Sequence, residues 1–445
     1  MMRKTTKIIF TTVCALGISV AALAQEKKWT LQESVNHALE NNISVKQASN
    51  TLLTNEQDII AAKGRFLPTV SANASHSLST GNIELFQGQF ANRTSNSTSL
   101  GVNVNETVFN GFRNTNLYKQ SQLSLEANQL ELDRIKDDIS LNVVNAYLNI
   151  LFNVENLETA KAQYEFSKKQ LQRVNELVDA GAQPRADVYD AQATLSRDLQ
   201  SVTVAENNYE LSLLTLSQLL QVPFNGFAVE EIDLDDPSAE LMYNDVTPVL
   251  NYALANRSEI KVAEKNIEIS ELGTEISKAG FYPSVSLGYG FGSNVFYSNL
   301  DQNEDPFFQQ LNDQKSHRFS LNVNIPIFSQ FQNKTAVAKS RIQEENAKLG
   351  LEQTKLNLES NIQRAFTDAR SALRAYEAAK VSLESQELAF NNAQERYNIG
   401  AMNGFDLEQS RLRLVNAESS LINAKYDFIF KTKVLDFYLG KPITE

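Results

Sequence analysis

The stretch VNETVFNGFRN, from Val104 to Asn114, decides the fold because it occurs twice. It returns as VNIPIFSQFQN from Val323 to Asn333, 219 residues further along the chain. Each copy begins with alternating apolar and polar residues, which is typical of a strand, and leads into a long segment almost free of Gly and Pro, which is typical of a helix. The stretch therefore predicts a strand-to-helix junction in each half of a duplicated chain.

The duplication extends in both directions from this stretch. Upstream, HALENNISVKQA and KGRFLPTVS match YALANRSEIKVA and KAGFYPSVS at a spacing of 215 residues. Downstream, the spacing of 219 residues holds to the end of both halves, and the four-residue shift falls in polar sequence between the matched blocks. We interpret the chain as a tandem repeat in which each half runs helix, two strands, very long helix, tight turn, second long helix. The linker between the halves, roughly 222–246, is rich in Asp, Glu and Pro.

The first residues have the pattern of a secretory signal. Arg3, Lys4 and Lys7 precede an apolar run, and Ala22-Leu23-Ala24 forms a small-residue cleavage site, so residues 1–24 are expected to be removed. The single cysteine, Cys14, lies inside this segment; the residues before it lack the small residue expected of a lipid-modified cysteine, although lipidation stays open. Loss of the three positive charges takes the formal charge from −12 to −15, which argues against nucleic acid as a partner.

Four segments outside the signal alternate with a period of two residues, whereas no run is apolar and long enough for a transmembrane helix. One face of each segment is apolar and the other is small or polar, as in a strand with lipid outside and water inside. A soluble sandwich sheet, which alternates in the same way, is the alternative. The polar segments 79–98 and 293–317 are expected to be loops. The apolar positions are Val70, Ala72, Ala74, His76, Leu78; Leu100, Val102, Val104; Val285, Leu287, Tyr289, Phe291; and Phe319, Leu321, Val323, Ile325, Ile327.

Aromatic residues gather near the ends of these segments, where they suit an interfacial girdle or, alternatively, packing between helix and sheet. Four strands are too few to close a barrel, and open edges are not tolerated in lipid. A membrane location therefore requires several copies of the chain to pool their strands. The aromatic residues are Phe66, Phe109, Phe112, Phe281, Tyr282, Phe328 and Phe331.

The predicted long helices exceed those of globular proteins. Residues 112–180 contain neither Gly nor Pro, and residues 332–399 contain a single Gly, so each predicts a rod of roughly 100 Å. Steps of three and four residues repeat from Leu157 to Val178, from Val188 to Leu219 and from Leu407 to Phe428. This period of 3.5 residues indicates antiparallel coiled-coil pairs, which turn at Gly181 and at Gly400.

The two turns carry a family resemblance that covers essentially the whole mature chain. VDAGAQPRADVYDAQ, from Val178, and YNIGAMNGFDLEQS, from Tyr397, are similar to the periplasmic tip pattern of the TolC family of outer-membrane efflux proteins, in which Gly is followed six residues later by Asp and then by an aliphatic residue. The resemblance implies a mixed α/β membrane protein: an internally duplicated chain that gives four strands to a shared trimeric β-barrel, continued by a long periplasmic α-helical coiled-coil barrel. It implies the outer membrane of a Gram-negative bacterium, with the helical part in the periplasm.

The resemblance also implies partners and a division of the chain. The partners are two further copies in a homotrimer, a periplasmic adaptor (membrane fusion) protein, an inner-membrane pump of the RND, ABC or MFS type, and outer-membrane lipid. The barrel strands fall in 67–111 and 282–328. The helices fall in 25–66 and 112–222 for the first repeat and in 247–281 and 329–440 for the second, with an inter-repeat linker at 223–246.

Site residues are carried over position by position. Gly181, Ala182, Gly400 and Ala401 match the tip positions that contact the adaptor. Asp406 matches the first acidic position of the family's periplasmic constriction, Gln409 stands where the second acid would be, and Asp187 and Asp190 hold the equivalent places in the first repeat. Tyr397 matches a tyrosine that ties neighbouring hairpins shut. The family's gate arginine is missing, with Ala401 and Met402 in its place, and Arg185 is a substitute that nothing in the sequence positions.

No enzyme signature accompanies these features. The sequence contains no phosphate-binding loop, no dinucleotide-binding turn and no nucleophile elbow. His37, His76 and His317 lie in different segments without the spacing of metal ligands, so neither a metal nor a cofactor is predicted. We therefore expect a passive, gated outer-membrane channel for efflux or type I secretion. The alternative from another class is a soluble periplasmic coiled-coil adaptor or scaffold.

Overall fold

The computed structural model describes residues 28–231, 245–301 and 305–441. The predicted signal, residues 1–24 with Cys14, lies outside the described residues, and so do residues 232–244 of the predicted linker.

Most of the described chain is helical. Each half contributes one strand of two residues and one pair of longer strands. In chain order the elements are β1 (Lys28–Trp29), α1 (Leu31–Asn41), α2 (Ile43–Gly64), β2 (Thr69–Phe86), β3 (Gln89–Asn110), α3 (Arg113–Asp179), α4 (Ala186–Leu220), β4 (Ala228–Val229), α5 (Thr247–Asn256), α6 (Ser258–Lys278), β5 (Ser284–Ser298), α7 (Phe307–Asp313), β6 (Ser316–Asn324), α8 (Gln332–Asn398) and α9 (Gly404–Tyr438). No helix of the described segments is long and apolar enough to cross a membrane.

The chain forms two compact units. The first, here called the helical unit, combines the described residues that fall within 1–48, 132–258 and 355–445. The second, here called the sheet unit, combines the described residues that fall within 49–131 and 259–354.

The sheet unit contains a four-stranded antiparallel sheet in the order β2-β3-β5-β6. The second strand of the first repeat therefore pairs with the first strand of the second repeat, with Asn103 opposite Gly290 and Val102 opposite Phe291. The apolar positions recognised in the sequence share one face, and the serines, asparagines and glycines share the other. Leu287, Phe319, Leu321 and Val323 on the apolar face are exposed in the single chain.

The expectation of long polar loops was wrong. Residues 79–98 belong to β2 and β3, which pair as far as a tight turn at Gln87 and Gly88. The ladder is built from backbone hydrogen bonds, which polar side chains do not disturb, and hydroxyl pairs such as Thr80 with Thr94, 3.0 Å apart, link the strands. In the same way residues 293–298 continue β5, and α7 lies within the other predicted loop.

The last strand is shorter than predicted. Alternation suggested a strand as far as Ile327, but β6 ends at Asn324. Pro326 follows two residues later and has no N–H group to give to the ladder, so the alternation continues beyond the end of the pairing.

Both strand-to-helix junctions bend through left-handed backbone. Gly111 and Phe112 have φ of 66° and 64°, and Gln330 and Phe331, the equivalent residues of the second repeat, have φ of 50° and 63°. Two consecutive residues of this kind reverse the chain direction within a few ångströms. The duplicated stretch thus contains the residues that turn each strand into its long helix.

The helical unit has a buried hydrophobic core where α1, α3, α4 and β4 meet. Val143, Tyr147, Leu216 and Leu220 are almost completely buried there, and each stabilises the fold by roughly 2 kcal/mol through burial. The hydroxyl of the buried Tyr147 donates to the carbonyl oxygen of Glu230 at 2.6 Å, and burial, with the Glu230 charge, raises the pKa of Tyr147. The coiled-coil steps predicted for α3, α4 and α9 fall on buried or half-buried positions throughout.

Candidate functional site

The two hairpin turns of the helical unit have one backbone design. Gly181, with φ of 73°, donates its N–H to Val178, and the N–H of Ala182 reaches back to Leu177 at 2.8 Å. Gly400, with φ of 76°, repeats both bonds. This pair of bonds closes the C-terminal end of a helix and requires a left-handed residue at the glycine position. A Cβ atom on either glycine would meet no heavy atom within 4 Å, so the backbone angle, rather than lack of space, demands glycine.

The two helices that follow the turns begin differently. Asn403 caps α9: its side-chain oxygen accepts from the N–H of Asp406 at 2.8 Å, and its amide donates to the Asp406 carboxylate at 3.0 Å. Arg185 is the N-cap residue of α4, but its side chain makes no capping bond, and Asp187 instead donates its N–H to the carbonyl oxygen of Pro184 at 3.1 Å. The exposed Asp406 therefore helps to start its helix, where a carboxylate also suits the helix dipole.

Tyr397 links the two hairpins near the turns. Its side chain is buried, and its hydroxyl accepts from the amides of Gln170 at 3.2 Å and Gln183 at 3.3 Å. The Arg173 guanidinium lies 5.7 Å from the centre of the Tyr397 ring. One side chain of the second hairpin is thus held by three side chains of the first.

Four of the five predicted gate residues gather around one cleft. An open cleft of about 540 Å³ is lined by Asp187, Asp190, Tyr397 and Gln409, together with Arg197 and Glu408. Asp406 lies outside this lining, at the start of α9. The adaptor-binding residues predicted from the turns, Gly181, Ala182, Gly400 and Ala401, are all exposed.

A buried ion-pair network crosses between the hairpins beside this cleft. Arg411 is only 2% exposed. Its guanidinium lies 3.1 Å from the Asp198 carboxylate and donates to Glu408 at 2.9 Å and to the side-chain oxygen of Gln163 at 3.0 Å. Ser167 donates to Asp198 from the other side. Burial by itself would lower the pKa of Arg411, but the hydrogen bond to Glu408 and the charges of Glu408 and Asp198 outweigh burial and raise that pKa.

The network continues to a half-buried acid. The amide nitrogen of Gln163 donates to the carboxylate of Glu418 at 3.0 Å. Burial raises the pKa of Glu418; the hydrogen bond from Gln163 opposes this effect and the charge of Glu387 adds to it. A titratable carboxyl group is therefore connected through one glutamine to the buried arginine.

Arg411 was not among the residues predicted from the sequence. The predicted substitute for the family's arginine was Arg185, next to the turn, and its side chain is exposed in the structure. A usable signal was present: Asp198 occupies an inward position of the coiled-coil pattern, where an unpaired carboxylate would be costly. An acid at such a position predicts a buried basic partner.

A family model described as "Outer membrane efflux protein" matches the chain over residues 34–221 and 249–441. The two matched segments correspond to the two repeats. Among named relatives, the outer membrane protein TolC of Vibrio cholerae is 23% identical over 438 residues, which cover 96% of this chain and 93% of the relative. The protein CyaE of Bordetella pertussis is 22% identical over 351 residues, covering 78% and 71%.

Solved structures show the same fold. The outer membrane protein VceC of Vibrio cholerae superposes with a TM-score of 0.75 at 18% identity, covering 93% of this chain and 96% of that one. The CmeC outer membrane channel of Campylobacter jejuni gives a TM-score of 0.72 at 21% identity, covering 92% and 85%. With both repeats matched by the family model, the chain belongs to the outer membrane efflux protein family.

Proposed function

We propose that the protein is the outer-membrane channel of a tripartite efflux or type I secretion system, which exports the substrate of an inner-membrane pump through a periplasmic adaptor. It is a homotrimeric, passive conduit in the outer membrane of a Gram-negative bacterium, it catalyses no reaction, and its helical hairpins lie in the periplasm. The observation that carries the proposal is the four-stranded sheet with one apolar face and two outer strands, β2 and β6, that each pair on one side only within the described chain.

The sheet supports a barrel shared between copies. Peptide groups at an open strand edge cannot stay unpaired in lipid, and single-chain barrels begin at about eight strands. Three copies of this sheet would supply a closed ring if β6 of one copy paired with β2 of the next. Such a ring places the apolar face towards lipid and the serine, asparagine and glycine face towards water.

The cleft between the hairpins supports a gate. In a threefold assembly Asp187, Asp190 and Asp406 would each become a ring of like charges, which attracts cations and repels anions. Tyr397, held by Gln170 and Gln183, would keep the hairpins together in the closed state. The buried pair of Arg411 with Asp198 offers the electrostatic bond that the missing family arginine does not provide.

The turns support an adaptor-docking surface. Gly181, Ala182, Gly400 and Ala401 are exposed and have small side chains or none, so another helical hairpin can approach their backbone closely. The pump type, whether RND, ABC or MFS, and the exported substrate would be set by the partner complex.

Fractionation and conductance test the proposal. We expect the mature protein in the outer-membrane fraction and, after reconstitution in a planar bilayer, discrete cation-selective conductance. Recovery in the soluble periplasmic fraction without detergent would contradict the channel and favour the alternative, a coiled-coil adaptor or scaffold.

A further inference from the structure

The apolar face of the sheet carries an open groove of about 460 Å³. The strand register forms it: Ala74 lies opposite Leu100, and Ala72 lies opposite Val102, which in turn lies opposite Phe291. Two alanines on β2 thus adjoin larger side chains on β3 and β5, and their small size leaves a trough in the face. Its volume lies in the range of ligand-binding pockets, roughly 300–1,000 Å³.

Helix α7 forms the far wall of the groove through Leu311 and is fixed to β5. The Ser293 hydroxyl donates to the carbonyl oxygen of Leu311 at 2.7 Å, and the N–H of Phe296 donates to the side-chain oxygen of Gln310 at 2.9 Å. β6 pairs with β5 only as far as Gly292. Beyond that point these two bonds hold α7 against β5, and one of them gives the backbone N–H of Phe296 an acceptor. Gln310 of the helix and Val295 of β5 are both buried, so the wall belongs to the folded sheet unit.

A cation stands among the lining residues. Lys315 contributes to the groove and lies just before β6, two residues from His317, so both belong to the apolar side of the strand. The ammonium group donates to the side-chain oxygen of Asn312 at 2.6 Å, which holds it near the end of α7. An apolar groove that ends at a positive charge is complementary to an acyl chain joined to a phosphate.

We infer that this groove binds an acyl chain of a phosphate-bearing membrane lipid, with Lys315 contacting the lipid phosphate. The inference rests on the proposed function, because the apolar face meets lipid only if the sheet forms part of a barrel. The groove continues that apolar face, and its charge complements an anionic headgroup. The lipid would fix α7 against the sheet at the end of the strands.

Lipid retention by the purified full-length protein tests the site. The protein, extracted in detergent, is incubated with phosphatidylglycerol or with phosphatidylcholine of the same chain length, and retained lipid is counted by native mass spectrometry. We expect the anionic lipid to be retained about fivefold more strongly, which is the effect expected from the attraction between one lysine and an anionic lipid surface. Inorganic phosphate alone should not compete; if it does, the site binds free phosphate and the inference is wrong.

Two matched pairs of variants separate the groove from the rest of the face. Ala74→Phe fills the trough and should abolish retention of both lipids, whereas Val70→Phe, on the same strand and face but outside the lining, should not. Lys315→Gln should remove the preference for the anionic lipid, whereas Arg318→Gln, on the polar face of β6, should keep it. If either variant behaves like its control, the inference is overturned.

Two further measurements keep the result interpretable. Leu311→Gln changes a residue of the helical wall and leaves the strand residues unaltered. It should weaken retention of the lipid, and it tests the groove even if Ala74→Phe fails to fold. Wild-type protein that forms conducting channels but retains lipid no better than the filled variant would overturn the groove and leave the proposed function intact. A protein absent from the membrane fraction would instead remove the proposed function.

Discussion

At the scale of single residues, the Arg411 network is the feature most sensitive to change. Arg411→Met would leave the Asp198 carboxylate, whose side chain is 11% exposed, without its cation. Removing one partner of a buried ion pair costs about 3–5 kcal/mol, and we expect the lower end because Ser167 still donates to Asp198. Thermal unfolding in detergent measures the loss. Arg413→Met, at an exposed position of the same helix, is the matched control and should change stability by less than about 0.5 kcal/mol.

A second substitution shows whether the charge is the cause. Adding Asp198→Leu to Arg411→Met removes the unpaired carboxylate and should restore most of the lost stability, since an apolar replacement of a buried pair is often neutral. A double variant as unstable as the single one would mean that packing of the long arginine side chain, rather than its charge, stabilises the hairpins.

Glu418 gives a pH dependence of defined sign. Its pKa in the folded protein is raised above the ordinary 4.5, chiefly by burial, so folding favours the protonated form. The contribution of Glu418 to the free energy of unfolding is therefore fully present below pH 4.5, and it is lost as the pH rises through the pKa of the folded protein. Glu418→Gln keeps an acceptor for Gln163 without the charge, and we expect it to be more stable than wild type at pH 8, by up to about 1 kcal/mol, with no difference at pH 4. Unfolding at the two pH values checks this; an equal gain at both would contradict it.

At the scale of the elements, the junction between β3 and α3 depends on one glycine. A Cβ atom on Gly111 would lie 2.8 Å from the Tyr282 Cβ and 2.9 Å from the carbonyl oxygen of Ala279, and its φ of 66° is unfavourable for other residues. We expect Gly111→Ala to lower the free energy of unfolding by about 2–4 kcal/mol. In Gly81→Ala the added Cβ meets no atom within 4 Å, so this control should stay within about 0.5 kcal/mol. Chemical denaturation of both variants decides; equal effects would mean that the junction tolerates a side chain.

A comparison of the elements with their predictions shows which parts of the structure can be recognised in the sequence. The long helices and the hairpin turns were predicted correctly, because periodicity and glycine positions report local geometry. The single helix expected before the strands of each half is instead two helices, α1 with α2 and α5 with α6. The strand ends were predicted wrongly, because hydropathy reports side chains whereas pairing is a property of the backbone. Thr80 and Thr94 continue the ladder between β2 and β3 through polar sequence, whereas apolar sequence around Pro326 lies beyond the end of β6. In the candidate site, the family resemblance singled out Tyr397 and Asp187 by their spacing to a turn, and their roles at a gate stay predictions. Arg411 meets Asp198 through packing between segments 213 residues apart, and no local pattern encodes this pairing.

At the scale of the whole molecule, the proposed gate predicts that a channel without the Tyr397 hydroxyl leaks in its closed state. Tyr397→Phe keeps the ring but removes the oxygen that accepts from Gln170 and Gln183, and each lost hydrogen bond costs about 1 kcal/mol. We expect the closed channel to open more often, by about tenfold or more, which single-channel recording measures. Tyr189→Phe, which changes an exposed tyrosine just after the first hairpin turn, is the control. Closed-state conductance equal to that of the control would remove Tyr397 from the gate.

The proposed trimer has a strand register that the duplication itself predicts. Within one chain the second strand of the first repeat pairs with the first strand of the second, and Asn103 lies opposite Gly290. Between chains, β6 should pair with β2 of the next copy in the same way. Adding the repeat spacing of 219 to Asn103 gives Asn322, and subtracting the spacing of 215 from Gly290 gives Ser75. Asn322 of one copy should therefore face Ser75 of the next, on the polar side of the barrel.

Disulfide trapping tests that register, and Cys14 in the predicted signal is the chain's only cysteine. Residues directly opposite in an antiparallel pair have Cα atoms about 4.5–5.5 Å apart, within disulfide range. Under oxidation, Ser75→Cys with Asn322→Cys should therefore give covalent species that stop at three chains on denaturing gels. Ser71→Cys with Asn322→Cys, four residues out of register and roughly 13 Å further away, should remain monomeric. Cross-linking of the shifted pair alone would show that the two repeats do not pair equivalently within and between chains, and ladders beyond three chains would contradict a closed trimer.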